Sequence, residues 1–148
     1  MFQCKDLLSL PTMSKAKLVA GEKGLDNGIR WSYKAESMNF SGWIHGQELL
    51  IVSSPVIKSK DFDLYQLVKE AIRLNLSGIL LLVGEEYIKS VSKNILNLAD
   101  KNSFPIICLP GNIPLVDILE EVGHAIAYKD KATAGYEDLL SEIIFGAR

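Results

Sequence analysis

The run Ile79-Leu80-Leu81-Leu82-Val83 is wholly apolar, with no polar residue alternating into it. A strand of this kind buries both faces, which happens when strands run parallel between two layers of crossover helices. The flanking sequence supplies such helices. Leu64, Leu67, Val68, Ala71 and Ile72 fall at i, i+3, i+4, i+7 and i+8 and predict a helix over Phe62 to Leu74. Ile88, Val91, Ile95, Leu98 and Ala99 carry a similar stripe and predict a second helix from Glu85 to Lys101. Leu49 to Ser53, Gly78 to Val83 and Pro105 to Leu109 read as strands. The order strand, helix, strand, helix, strand predicts right-handed crossovers and an α/β fold, with a mostly parallel sheet in the middle of three layers.

The two ends of the chain change period. Leu7, Leu8 and Leu10 follow Asp6 and suggest a short helix over Phe2 to Leu10 that Pro11 ends. Lys17 to Ala20 reads as a strand, and the turn-forming stretch from Gly21 to Gly28 leads into Ile29, Trp31, Tyr33 and Ala35, which alternate with polar residues. An early antiparallel β-β unit is expected there. Beyond Pro114, Leu115, Leu119, Val122 and Ile126 step by helical intervals, and the phase resumes at Leu140 and Ile143. Gly135 would weaken one continuous helix by about 1 kcal/mol, so two helices with a joint near Lys129 to Gly135 are equally consistent with the pattern. The expected division is an α/β domain over residues 1–128 and a helical extension or linker over residues 129–148, leading towards further carboxyl-terminal domains and able to join two copies.

Composition removes several classes of function. A chain of 148 residues with 48% hydrophobic and 23% charged side chains can bury one real core and is neither disordered nor membranous. Its 16 basic and 18 acidic side chains give a formal charge of -2, without the concentration of Lys and Arg that a nucleic-acid reader uses. The longest apolar run falls far short of the roughly 20 residues that span a bilayer. The start Met1-Phe2-Gln3-Cys4-Lys5-Asp6 lacks the basic-then-apolar order of a signal peptide, so a cytoplasmic protein is expected. Cys4 and Cys108 are too few for a disulfide framework and are read as reduced, with Cys108 buried in a strand.

Reactive chemistry has little support. Gly21, Gly24 and Gly28 lead into a strand, whereas a phosphate cradle opens a helix, so a plain turn is the better reading. His45 and His124 lack neighbours that would complete a zinc site. Asp61 and Asp63 precede a helix and suit capping, Glu85-Glu86 a helix start, and Glu120-Glu121 a solvated face. No catalytic residue, metal or cofactor is expected. A small-molecule site, if there is one, belongs in the crevice beyond the Leu49 to Val52 strand, because α/β folds open at the carboxyl ends of parallel strands. There Ser53 and Ser54 would offer hydroxyls, Glu36 a carboxylate and Trp43 a flat wall. The alternative makes Trp43 and Trp31 core aromatics and leaves Glu36 in solvent.

Several motifs agree in order with one family. Val19-Ala20-Gly21-Glu22-Lys23-Gly24-Leu25-Asp26, then Ile29-Arg30-Trp31, then Trp43-Ile44-His45-Gly46-Gln47-Glu48-Leu49-Leu50 resemble the opening of the PucR-type (purine catabolism regulator) amino-terminal regulatory domain of bacterial transcription regulators. Ser103-Phe104-Pro105-Ile106-Ile107-Cys108-Leu109-Pro110 and Ile113-Pro114-Leu115 look like later motifs of the same family. The likeness runs over about residues 2 to 128 and departs from the pattern at Gln47 and at Ser53-Ser54-Pro55. It implies a non-catalytic sensor or signal-transmitting module for catabolic genes. The resemblance also implies a purine-related or other small effector and a DNA-binding helix-turn-helix outside this chain, while the apolar carboxyl-terminal stripe leads to the expectation of a homodimer joined by those helices. Two other readings stand beside it: a structural dimerisation module, and a nucleotide-binding piece like the amino-terminal domain of cell-wall amide ligases.

Overall fold

The computed structural model describes residues 1–129. Its centre is a five-stranded sheet of β1 (Lys17–Ala20), β2 (Trp31–Ala35), β3 (Glu48–Val52), β4 (Gly78–Val83) and β5 (Ile106–Pro110). The spatial order is β1-β5-β4-β3-β2, with β2 to β5 parallel and β1 antiparallel to β5. The helices are α1 (Cys4–Leu7), α2 (Ser54–Ile57), α3 (Leu64–Arg73), α4 (Lys93–Lys101) and α5, which runs over residues 115–129. The expected α/β class and mostly parallel sheet are present.

Alternation in the central strands builds two cores. Leu50, Val52, Ile79, Leu81 and Ile106 face α3 and α4, which contribute Leu67, Val68, Ala71, Ile95 and Ala99. Leu49, Ile51, Leu80, Leu82, Ile107 and Leu109 face the other way, onto Leu7 of α1, Met13, and Ile118, Val122 and Ile126 of α5. Each central strand is thus apolar on both faces because each face has its own helical layer.

The early strands are found, but they do not pair with each other. β1 lies antiparallel to β5 and β2 lies parallel to β3, at opposite edges of the sheet. The intervening loop is not a hairpin: its positive φ is at Gly21, while Asn27-Gly28 keeps ordinary φ. It passes beneath the amino ends of β5 and β4, where the Asn27 side-chain amide donates to the carbonyls of Ser103 (3.0 Å) and Ser77 (3.2 Å). The chain is carried across the sheet before it enters β2.

Helix boundaries differ in an instructive way. Asp63 caps α3 by accepting from the Gln66 amide at 3.2 Å, as its position suggested. The second helix starts at Lys93, not Glu85, because Ser92 caps it and the Ile88 amide returns to the Leu82 carbonyl at 3.1 Å. Ile88 and Val91 pack on the core from a loop, and Glu85-Glu86 does not begin a helix. The first helix is one short turn, closed by the Asp6 carboxylate accepting from the Gln3 amide at 2.9 Å. α5 continues past residue 128, and the expected joint and resumed stripe lie outside the described residues.

Candidate functional site

The connections after β2, β3 and β4 all return on the α3/α4 face, while the chain leaving β5 crosses to the opposite face as α5. Adjacent strands whose connections leave on opposite faces open a crevice at their carboxyl ends. That divergence falls between β4 and β5. A cavity of about 510 Å³ lies there, lined by Val83 to Tyr87 and Pro110 to Asn112.

Local sequence shapes this crevice. Gly84 has a φ of 147°, open to glycine and strained for other residues, and it turns the chain out of β4. A Cβ on Gly111 would fall 2.1 Å from the Tyr87 ring, so that glycine lets the ring lie across the mouth of β5. The Gly111 amide donates to the Val83 carbonyl at 2.8 Å and ties the two loops together. Glu86 is held by Lys58 at 2.7 Å, which keeps its carboxyl below and the Lys58 ammonium above their ordinary pKa values. Glu85 and Asn112 make no side-chain hydrogen bond among the described residues. The result is one aromatic wall, two glycine backbones, one free carboxylate and one free amide, a set suited to gripping a small planar polar molecule.

The residues expected from sequence lie outside the lining of this crevice. Ser53 is buried, and its hydroxyl donates to the Ala35 carbonyl at 2.9 Å, fastening β2 to β3. Ser54 is half-buried in the first turn of α2, and Glu36 is exposed and 3.1 Å from Lys34. The register of β2 and β3 brings Glu36 near Ser53 and Ser54. Trp43 sits in the returning half of the 36–47 loop with 73% of its surface exposed. Trp31 is also half exposed and is not a core aromatic. None of these residues lines the β4/β5 crevice.

A second cavity, of about 250 Å³, lies at the amino ends of the strands among Asn27, Gln47, Asn75, Ser77, Asn102 and Phe104. Much of its polar lining is already spent. Asn27 bridges two loops, Asn102 donates to the Leu98 carbonyl at 2.8 Å, and the Ser77 hydroxyl donates to the Gly28 carbonyl. Close by in sequence, Glu48 is buried; one carboxylate oxygen accepts from the His45 amide at 2.7 Å, while Oε1 has no partner among the described residues. Sequence reasoning missed Glu48, although a carboxylate opening an otherwise apolar strand was a visible signal.

Other polar groups hold the layers together. Glu121 is no solvated carboxylate: Oε1 accepts from the Thr12 amide at 2.8 Å and the Thr12 hydroxyl at 2.7 Å. Burial pushes the Cys4 thiol up to about 12, and the thiol donates to the Ser77 carbonyl at 3.3 Å. Cys108 in β5 is half-buried and also raised by burial. Both thiols are therefore poor nucleophiles. Among the described residues no group of acidic, His and Cys side chains could hold a metal, and no helix is long and apolar enough to cross a membrane.

Residues 6–126 match the purine catabolism regulatory protein-like family, PucR, across both cores and the crevice. The chain belongs to that family. A purine catabolism regulatory protein of Bacillus subtilis (strain 168) is 28% identical over 114 residues, covering 77% of this chain and 21% of that protein. The chain thus spans about a fifth of the length of this curated relative.

Proposed function

We propose that this chain is the effector-sensing and signal-transmitting domain of a bacterial transcription regulator of catabolic genes, without catalysis of its own. The observation that carries the reading is the continuous family match over residues 6–126, which takes in both helical layers and the crevice between β4 and β5. The relative's name supports a purine-related or other small catabolite as the effector. The near-balanced charge supports DNA contact by other parts of a longer polypeptide.

In this reading the effector lies against Tyr87, with Asn112 and Glu85 meeting its polar edge, and residues 110–112 pass its presence directly to α5. Glu36, Trp43, Ser53 and Ser54 are then structural or surface residues. Two copies associate, but the described part of the carboxyl-terminal stripe is occupied: Val122 and Ile126 are buried in the domain's own core, and Leu115 and Leu119 pack against it. That leaves little of residues 115–129 to serve as the seam of a purely structural dimerisation module.

Thermal unfolding against purine bases, ureides and sugar acids tests the proposal. A ligand at a hundred times its Kd adds about 2.7 kcal/mol, or roughly 5–10 °C in a domain of this size. The expected compound raises the midpoint of the wild type but not of Asn112→Ala or Tyr87→Ala. A shift that survives both and disappears in Ser54→Ala moves the site to the end of β3. Stabilisation by a uridine nucleotide favours the ligase-like reading, and silence towards every compound removes sensing from the proposal.

A further inference from the structure

The sheet has two edges, and they are built differently. β1 is short, carries an exposed lysine at Lys17, and is interrupted by a register shift between Leu18 and Ala20. Bulges and lysines of this sort discourage another strand from adding on. β2 also carries a lysine, Lys34, but no bulge. It runs in unbroken register from Trp31 to Ala35 along β3, and among the described residues no strand pairs with its outer side.

From this edge we infer that β2 pairs antiparallel with β2 of a second copy of the chain, joining two sheets into one. The charges around the strand choose both the partner and the register. With the two-fold axis at Tyr33, each Arg30 faces Glu36 of the other copy, Ser32 faces Lys34, and Trp31 faces Ala35. Shifting the axis to Ser32 sets Arg30 against Lys34, and shifting it to Lys34 sets that lysine against itself. Like charges directly opposite are unfavourable and opposite charges favourable, so only the Tyr33-centred register is self-complementary. Arg30 is exposed, and among the described residues Glu36 is paired with the half-buried Lys34 in a surface contact that can exchange for Arg30 of the other copy.

Trp31 extends the contact beyond the strand. The residue is 52% exposed, and its ring reaches α5 at Gly123, where a Cβ would lie 3.9 Å from it. Val116, two turns before Gly123 on α5, is 66% exposed. Edge pairing brings these two apolar groups towards their copies beside the new strand pair. The inference does not depend on an effector.

Sedimentation equilibrium of the 148-residue chain provides the test, using wild type, Arg30→Glu, Glu36→Arg and the double reversal. The wild type is expected to dimerise, each single reversal to raise the dissociation constant about tenfold or more, and the double reversal to recover most of that loss. Both side chains are exposed, so the variants should keep the wild-type far-ultraviolet spectrum. A wild type that stays monomeric, a dimer indifferent to the single reversals, or a double reversal no better than the singles each overturns the inference. A thermal-shift result on effectors bears on the sensing proposal alone.

Discussion

A Cβ on Gly21 would sit 2.1 Å from the carbonyl oxygen of Phe104, and one on Gly24 would sit 1.9 Å from that of Ser103. These glycines serve a close approach of two backbones, which explains their spacing without any phosphate. Gly24→Ala should cost about 2–4 kcal/mol in denaturant unfolding, because backbone on both sides must shift. Ser103 makes the converse case. It holds φ at 51° just past α4, and the Phe104 amide reaches back to the Ala99 carbonyl at 3.0 Å, the hydrogen-bonded helix ending that glycine favours. Ser103→Gly should therefore stabilise the protein by about 1 kcal/mol in the same measurement. The glycines were legible in the sequence as turn formers. Their contact with residues 103 and 104 was not, because it depends on two segments remote in sequence. For the same reason Ser53 looked like a ligand group: its position after β3 was readable, but its bond to the Ala35 carbonyl follows from which strand lies beside β3.

The elements were readable wherever their buried faces decided them. α3 and the central strands follow their sequence periods closely, since propensity, pattern and burial agree there. The first half of the expected second helix failed because Ser92, a good cap, lies inside the stripe, and Ile88 can reach the core equally well from a loop. At the other end of the chain, α5 is fastened by polar contacts that no local pattern announces. Thr12 is held by Glu121, and Asp6 by Lys129 at 2.7 Å. The bond to Lys129, with smaller help from the Gln3 amide, holds the Asp6 carboxyl below its usual pKa. A carboxyl lowered in the folded state gives stability that is complete above its unfolded pKa, about 4, and fades as pH falls through the folded value. Asp6→Asn should therefore be less stable than wild type at pH 7, with the difference shrinking below about pH 4 in unfolding curves taken across that range. A difference that grew with acid would reverse the assigned sign.

At the scale of the molecule, the parallel strands advance across the sheet in chain order, and only the exit from β5 changes face. The general rule that α/β proteins open at carboxyl ends was usable from the sequence, but the strand where the opening falls was not. That depends on where α5 goes, and α5 could equally have been a free dimerisation helix. Its buried residues decide between these roles. Ile118 is completely buried between the sheet and α5, whereas Val116 on the same helix is 66% exposed. Ile118→Ala should cost about 2–5 kcal/mol, a large part of the 5–15 kcal/mol that holds a domain together, while Val116→Ala should change stability by less than about 0.5 kcal/mol. Unfolding of the two variants, measured well below any dimerisation range, distinguishes an integral helix from a detachable one. Equal and small effects would mean that α5 leaves the sheet in solution, and the crevice between β4 and β5 would then lose the change of face that forms it.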